Sequence, residues 1–282
     1  MMKPILSTAF ILFIFLATSN QSHAASFIQN NNWVNFQIEL QHWKDVNKLI
    51  PRKAKFTVID VESGKSFEVQ RRAGTHHADV QPLTRKDTKI MKKIYHGHWS
   101  WRRRSILILA QDRLIAASMH GMPHGAGALQ NGFNGHFCIH FIGSMTHRTE
   151  RSDLSHQLMI LKAAGKIDEY LANASSDQVA DAFMVFTKNA DKGLIKKVAI
   201  SNKKRMEIKK IDAIETLRWD RMVKPKNNDE LLISTIDIKL QLFIKEHDTI
   251  NTSIPFQLVR ESPISPWKIN IDPLITIIEE AK

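Results

Sequence analysis

From Lys55 the chain alternates apolar and polar positions through KFTVIDV, breaks at Glu62-Ser63-Gly64-Lys65 and alternates again through SFEVQRR. That period of two, folded about a turn, predicts a β-hairpin with one buried face. Thr84 followed by Asp87 has the form of a capping box, and Ile90, Met91 and Ile94 then recur at helical spacing until Gly97, which predicts a short helix. SILILA and RLIAASM flank Gln111-Asp112 as a second pair of strands, a glycine-rich loop runs from Gly121 to Gly135, and FCIHF follows as a further strand. Ser152 is placed to cap a helix whose Leu154, Leu158 and Leu161 form one stripe ending at Gly165. Helical stretches at about 166–173 and 176–200 come next. From about Glu207 the pattern is that of long antiparallel strands: MEIKKIDAIETLRW, LLISTIDIKLQLFI, TINTSIPFQLV and PWKINI.

These elements predict an α+β protein: a β-rich N-terminal catalytic-like domain with flanking helices over residues 25–172, then a helix-then-antiparallel-sheet accessory domain over 173–282. The order of elements in the second part resembles the nuclear-transport-factor-2-like (NTF2-like) fold. Residues 1–24 predict a signal peptide, with Lys3, the apolar run AFILFIFLA and small residues at Ser22-His23-Ala24, where a signal peptidase cuts. The apolar run is about half the ~20 residues that a membrane helix needs, so no stable membrane insertion is expected after cleavage. Localisation is then exported: periplasmic, or extracellular and cell-wall associated. The net charge of +12 favours anionic partners, and outside the cytoplasm these are peptidoglycan or another anionic cell-wall polymer rather than nucleic acid.

The chain contains one cysteine, Cys138, within GHFCIHF. It has no partner for an internal disulfide, although an exported chain lives where disulfides persist. On a strand, Phe137, Ile139 and Phe141 share one face and His136, Cys138 and His140 the other. A thiol between two imidazoles on a polar face is expected to be accessible, and a protonated imidazole beside it would lower its pKa. Strand neighbours two apart are ~6–7 Å apart, so a base in hydrogen-bond reach must come from the adjoining loop, which offers His120 and His124. His124-Gly125 is preferred, because it lies in the segment that must fold back over the strand.

These residues resemble the L,D-transpeptidase (YkuD-like) catalytic domain over residues 104–145. In that family a His-Gly pair precedes, across a glycine-containing loop, a strand reading S-x-G-C-I/V-R. Here Cys138 stands fourteen residues after His124. The stretches HHADVQPLT, WSWRRR, SMHGMPHG and GHFCIHF also look like an exported bacterial family in which this block follows peptidoglycan-binding repeats, a likeness over residues 33–170. Three positions depart from the transpeptidase pattern: Gly135 replaces the serine, Phe137 the glycine before cysteine, and His140 the arginine. The resemblance implies thioacyl transfer without a cofactor on the amide that joins the third, diamino residue of a peptidoglycan stem to its terminal D-alanine. Cys138 is the implied nucleophile and His124 the base, with His136 and His140 as further catalytic candidates; His120, Gly125, Asn134 and Arg103 are candidate substrate-binding residues.

Zinc is the rival chemistry, since thirteen histidines include His77, His120, His124, His136 and His140 near Asp79 and Cys138. Residues i and i+4 on one strand lie ~13 Å apart, so His136 and His140 cannot share an ion, whereas His136 with Cys138 and a loop histidine can. A non-catalytic wall-binding module is the third reading. Asp79 is read as capping the turn before Pro82, His76 and His77 as solvated loop residues, and Trp99 and Trp101 as core-facing, while Arg102 to Arg104 are left open between an outward face and binding of carboxylates or phosphates. The basic runs KKVAISNKKR and RMVKPKNN are read as solvated surface or linker.

Overall fold

A computed structural model describes residues 37–146, 151–222, 232–245 and 247–281. Residues 1–24, which the sequence predicts to be a signal peptide, and most of the RMVKPKNN run lie outside these residues. The chain is α+β, as its patterning predicts. Its first half contains β1 (Ile38–Glu39), α1 (Trp43–Leu49), β2 (Lys55–Asp60), β3 (Ser66–Ala73), β4 (Ala78–Pro82), α2 (Arg85–Ile94), β5 (Arg103–Ala110), β6 (Arg113–His120) and β7 (Phe137–His140). The strand order β1-β6-β5-β2-β3-β4-β7, with a further β6–β7 pairing, closes six strands into a barrel. β1 and β7 share one edge of β6: Ile38 and Glu39 pair in parallel with Leu114 and Ile115, while Ser118 and Met119 pair with His140 and Ile139.

Alternation along the strands turns Phe56, Val58, Phe67, Val69, Ile106, Ile108, Ile115, Ala117, Phe137 and Ile139 into one buried cluster, as expected of a barrel filled by side chains. Thr84 and Asp87 form the expected capping box on α2. α1 precedes the first predicted hairpin, and its Trp43 and Val46 complete the same core. Burial here is not wholly apolar. Asp60, with no exposed surface, takes a two-pronged ion pair from Arg104 (Oδ1–Nε 2.7 Å, Oδ2–NH2 2.8 Å) and also accepts from Ser63. Arg104, which the sequence leaves open, is thus turned onto a buried carboxylate.

The second half contains α3 (Leu154–Ala163), α4 (Ile167–Asn173), α5 (Ser176–Lys188), α6 (Lys192–Val198), β8 (Ala199–Ile200), a 3-10 turn (Ile208–Ala213), β9 (Ile214–Arg221), β10 (Ile233–Ile244), β11 (Thr249–Val259), β12 (Lys268–Asn270) and α7 (Asp272–Glu280). Sheet order is β8-β12-β11-β10-β9. β10 and β11 pair without interruption from Ile233↔Val259 to Phe243↔Thr249, and their inward positions, including Ile238, Leu240, Leu242, Ile254, Phe256 and Leu258, pack on α5 and α7 in a second core.

The structure differs from the sequence reading at several joints. Asp153, not Ser152, caps α3, accepting from the amides of Ser155 and His156. The 176–200 helix is two helices, broken where Ala190 takes a left-handed φ of 55°. The strand predicted from Met206 begins only at Ile214, after the 3-10 turn. The exposed lysines of KKVAISNKKR are partly ion-paired, Lys197 with Asp168 and Lys203 with Glu279. Among the described residues no helix is long and apolar enough to cross a membrane.

Removing one member of a buried ion pair strands the other. Asp60→Ala is expected to cost about 3 kcal/mol of stability, read as a lower midpoint in urea unfolding with the slope unchanged.

Candidate active site

The face of β4, β7 and β6 turned away from the barrel core is polar and almost wholly covered. Asp79 stands opposite Cys138 in the β4–β7 register, and Ser118 opposite His140 in the β6–β7 register. β4 was not read as a strand, and Asp79 is a buried strand residue rather than a turn cap. α3 lies over this face, Ile160 and Ala163 packing on Ala116, and its first turn delivers His156 to Ser118 Oγ at 2.9 Å.

The loop of residues 121–135 returns to the strand through one narrow bridge. His124 and His136 exchange both backbone hydrogen bonds, His124 N–H to the His136 carbonyl at 3.0 Å and the reverse at 2.8 Å. Gly135 sits in this bridge at φ 121°, where a Cβ would lie 2.5 Å from the His124 carbonyl oxygen; only glycine accepts both demands. The bridge sets the two imidazoles side by side, ring centroids 4.4 Å apart, next to the sulfur. Gln81 anchors the exposed stretch between them, its side-chain oxygen accepting from the amides of Ala128 and Leu129.

His124 Nε2 lies 3.4 Å from Cys138 Sγ, and His124 Nδ1 is 3.1 Å from the Met122 carbonyl. A carbonyl only accepts, so Nδ1 carries the proton and Nε2 presents a lone pair to the thiol. On the other side of the sulfur, Asp79 Oδ1 is 3.8 Å away. That oxygen also meets His77 Nε2 at 3.1 Å and His136 Nε2 at 3.8 Å, while His77 Nδ1 donates to the Met145 carbonyl at 2.7 Å.

Three more imidazoles line the floor. His77 stacks on His140 with centroids 4.5 Å apart, and His140 stacks on His156 at 3.8 Å. His77 and His140 each bring a ring nitrogen within 4.8 Å of the sulfur. His120 closes the group beside His124, and Trp101, 49% exposed, covers both rings at 4.7 and 5.3 Å.

The structure thus brings Cys138, His124, His136, His140 and His120 together. Arg103 pairs with His120 across β5 and β6 and forms an ion pair with Asp153 at 2.8 Å. Gly125 is exposed against the His136 ring, and Asn134 is exposed on the loop. His77, Asp79 and His156 join the group as well; the sequence offers the first two only within the zinc reading, and the leucine stripe of the helix gives no sign of the third. Trp101 faces solvent rather than the core.

The thiol differs most from expectation. Cys138 is only 3% exposed. Burial, and then the Asp79 carboxylate beside it, push its pKa up, while Arg103 opposes weakly. The resting sulfur is therefore a thiol, not the thiolate of an ion pair. Burial likewise drives His120 and His156 well below the ordinary value of 6.5, so both rings are neutral at pH 7 and supply packing and hydrogen bonds, not charge.

A base with a depressed folded pKa binds protons in the unfolded chain first, so stability is complete above 6.5, the ordinary histidine value, and falls as pH drops below it. Each such ring contributes up to about 1.4 kcal/mol per pH unit in that window. Thermal melts between pH 7 and 5 are expected to show Tm falling with pH, less steeply for His156→Asn. Gly135→Ala is expected to break the His124–His136 bridge, destabilising the chain by about 1–3 kcal/mol and removing the imidazole–thiol contact, measured by thermal melts and by the rate of Cys138 alkylation. No family model, no curated protein and no solved structure matches the chain.

Proposed function

We propose that the protein is an exported cysteine acyltransferase or peptidase that acts on peptide amide bonds of peptidoglycan stems, an L,D-transpeptidase-like or L,D-carboxypeptidase-like enzyme. The observation that carries this reading is the 3.4 Å contact between Cys138 Sγ and a His124 Nε2 whose other nitrogen is fixed on the Met122 carbonyl. The wall-peptide substrate rests on the resemblance of the His-Gly…Cys block to that family, on the export signal and on the basic charge of the chain. The NTF2-like reading of the second half rests on helices that precede a curved antiparallel sheet, and it assigns no chemistry.

Because the thiol is protonated at rest, His124 acts as a general base: it takes the S–H proton as the sulfur attacks the carbonyl between the diamino residue and D-alanine. The tetrahedral adduct collapses when His124 returns that proton to the leaving amine. This releases D-alanine and leaves a thioester on Cys138. An amine acceptor then forms a cross-link, or water completes hydrolysis. Asp79 holds the S–H and the His77 ring in place before attack, and its negative charge keeps the sulfur protonated until a carbonyl is present. Substrate reaches the buried sulfur past Trp101 and the exposed 125–130 stretch, which must swing away from Gln81.

Incubation of the purified chain with a disaccharide tetrapeptide is expected to release D-alanine and to give a thioester adduct on Cys138 by intact mass. Cys138→Ala should abolish both, and His124→Ala should slow them by about a hundred- to ten-thousand-fold while circular dichroism stays unchanged. Full turnover by Cys138→Ala would sink the assignment.

A further inference from the structure

We propose that the thiol site is also a binding site for a thiophilic divalent cation of the zinc class, held by Cys138 Sγ, His124 Nε2, His136 Nε2 and Asp79 Oδ1, and that cation binding and acyl transfer exclude one another. The binding stands on geometry alone; its effect on turnover rests on the acyltransfer reading.

Four ligands at ordinary zinc distances stand ~3.3–3.6 Å from one another in a tetrahedron. Three of the edges here are close to that: sulfur to His124 Nε2 is 3.4 Å, sulfur to Asp79 Oδ1 is 3.8 Å, and His136 Nε2 to Asp79 Oδ1 is 3.8 Å. The ligand atoms of Asp79, His136 and Cys138 all lie within 4.8 Å of one another. His124 Nε2 approaches the sulfur from the side opposite Asp79, so its ring swings toward the Asp79–His136 pair on binding to take the fourth position.

The surrounding hydrogen bonds orient the donors as metal ligands are oriented. A ligating imidazole characteristically donates its remote N–H to a carbonyl, which turns the other nitrogen's lone pair to the ion. His124 does so to Met122 at 3.1 Å and His136 to Ala126 at 3.0 Å. Asp79 is held in turn by His77, which is itself tied to Met145.

The same bookkeeping decides against the neighbouring rings. His77 directs both nitrogens at oxygen acceptors, and His120 Nδ1 accepts the Met122 N–H at 3.3 Å, which leaves the proton on the nitrogen that would have to bind. Binding exchanges the S–H proton for the cation: the thiol loses H⁺ to solvent, a sulfur–metal bond forms, and no electrons transfer. The ion draws charge from the thiolate and occupies its approach, and His124, its basic nitrogen bound to the ion, can no longer return a proton to the leaving amine, so acyl transfer stops. His136, 15% exposed at its side chain, gives the ion a route in.

The test uses the purified chain stripped with a chelator. Cobalt(II) is expected to bind at one equivalent with a sulfur-to-cobalt charge-transfer band in the near ultraviolet, which Cys138→Ser removes. Zinc is expected to displace the cobalt and to slow iodoacetamide labelling of Cys138 by roughly tenfold or more, and His136→Gln, which keeps the thiol, to weaken zinc by roughly ten- to a hundredfold. Cobalt binding without a sulfur band, or labelling unchanged in excess zinc, overturns the site. Tetrapeptide turnover measured in parallel separates the two proposals. A metal-free chain that is inactive yet shows the band defeats the acyltransfer reading and leaves the site standing. Turnover that requires added zinc overturns mutual exclusion.

Discussion

The site depends on two backbone hydrogen bonds between His124 and His136. The loop of residues 121–135 has many ways to lie over a barrel, and side-chain contacts alone would leave a glycine-rich segment mobile. The bridge removes that freedom at the one place where it matters. It fixes the distance from a loop imidazole to a strand sulfur, and it needs Gly135 because two backbones approach too closely there for any side chain.

Around that bridge, burial determines the chemistry. A cysteine beside so many imidazoles suggests a resting thiolate, but imidazoles lower a thiol's pKa only when they are charged. His120 and His156 are kept neutral by burial, and the nearest full charge is the Asp79 carboxylate, which has the wrong sign. The arrangement keeps a protonated thiol beside an imidazole nitrogen whose lone pair faces it. A resting sulfur of this kind resists the oxidation to which an exposed thiolate is prone.

Much of the barrel was legible because its hairpins alternate cleanly and its turns carry their own residues. The pairing of Cys138 with His124 was legible as well, since strand geometry rules out the adjacent histidines and the loop offers few others. Less legible were the parts that tertiary contact decides. HHADVQ has no period-two signal because both faces of β4 are buried, so Asp79 and His77 resembled a turn. His156 was hidden in a leucine stripe, because a helix wedged between two cores buries nearly all round and its polar inward positions, Ser155 and His156, leave no mark in the periodicity. The cap at Asp153 rather than Ser152 is a one-residue ambiguity that only the observed hydrogen bonds resolve.

That wedged helix limits how such a chain can change over time. Leu158 and Met159 of α3 belong to the second core, Ile160 and Ala163 press on the barrel, and His156 reaches the thiol pocket. A single rod is thus the partition wall of both halves. Replacing the C-terminal half wholesale would strip the roof from the chemistry, so that half can diversify only on its far side, along the free face of β9 to β11, while the wall is inherited unchanged.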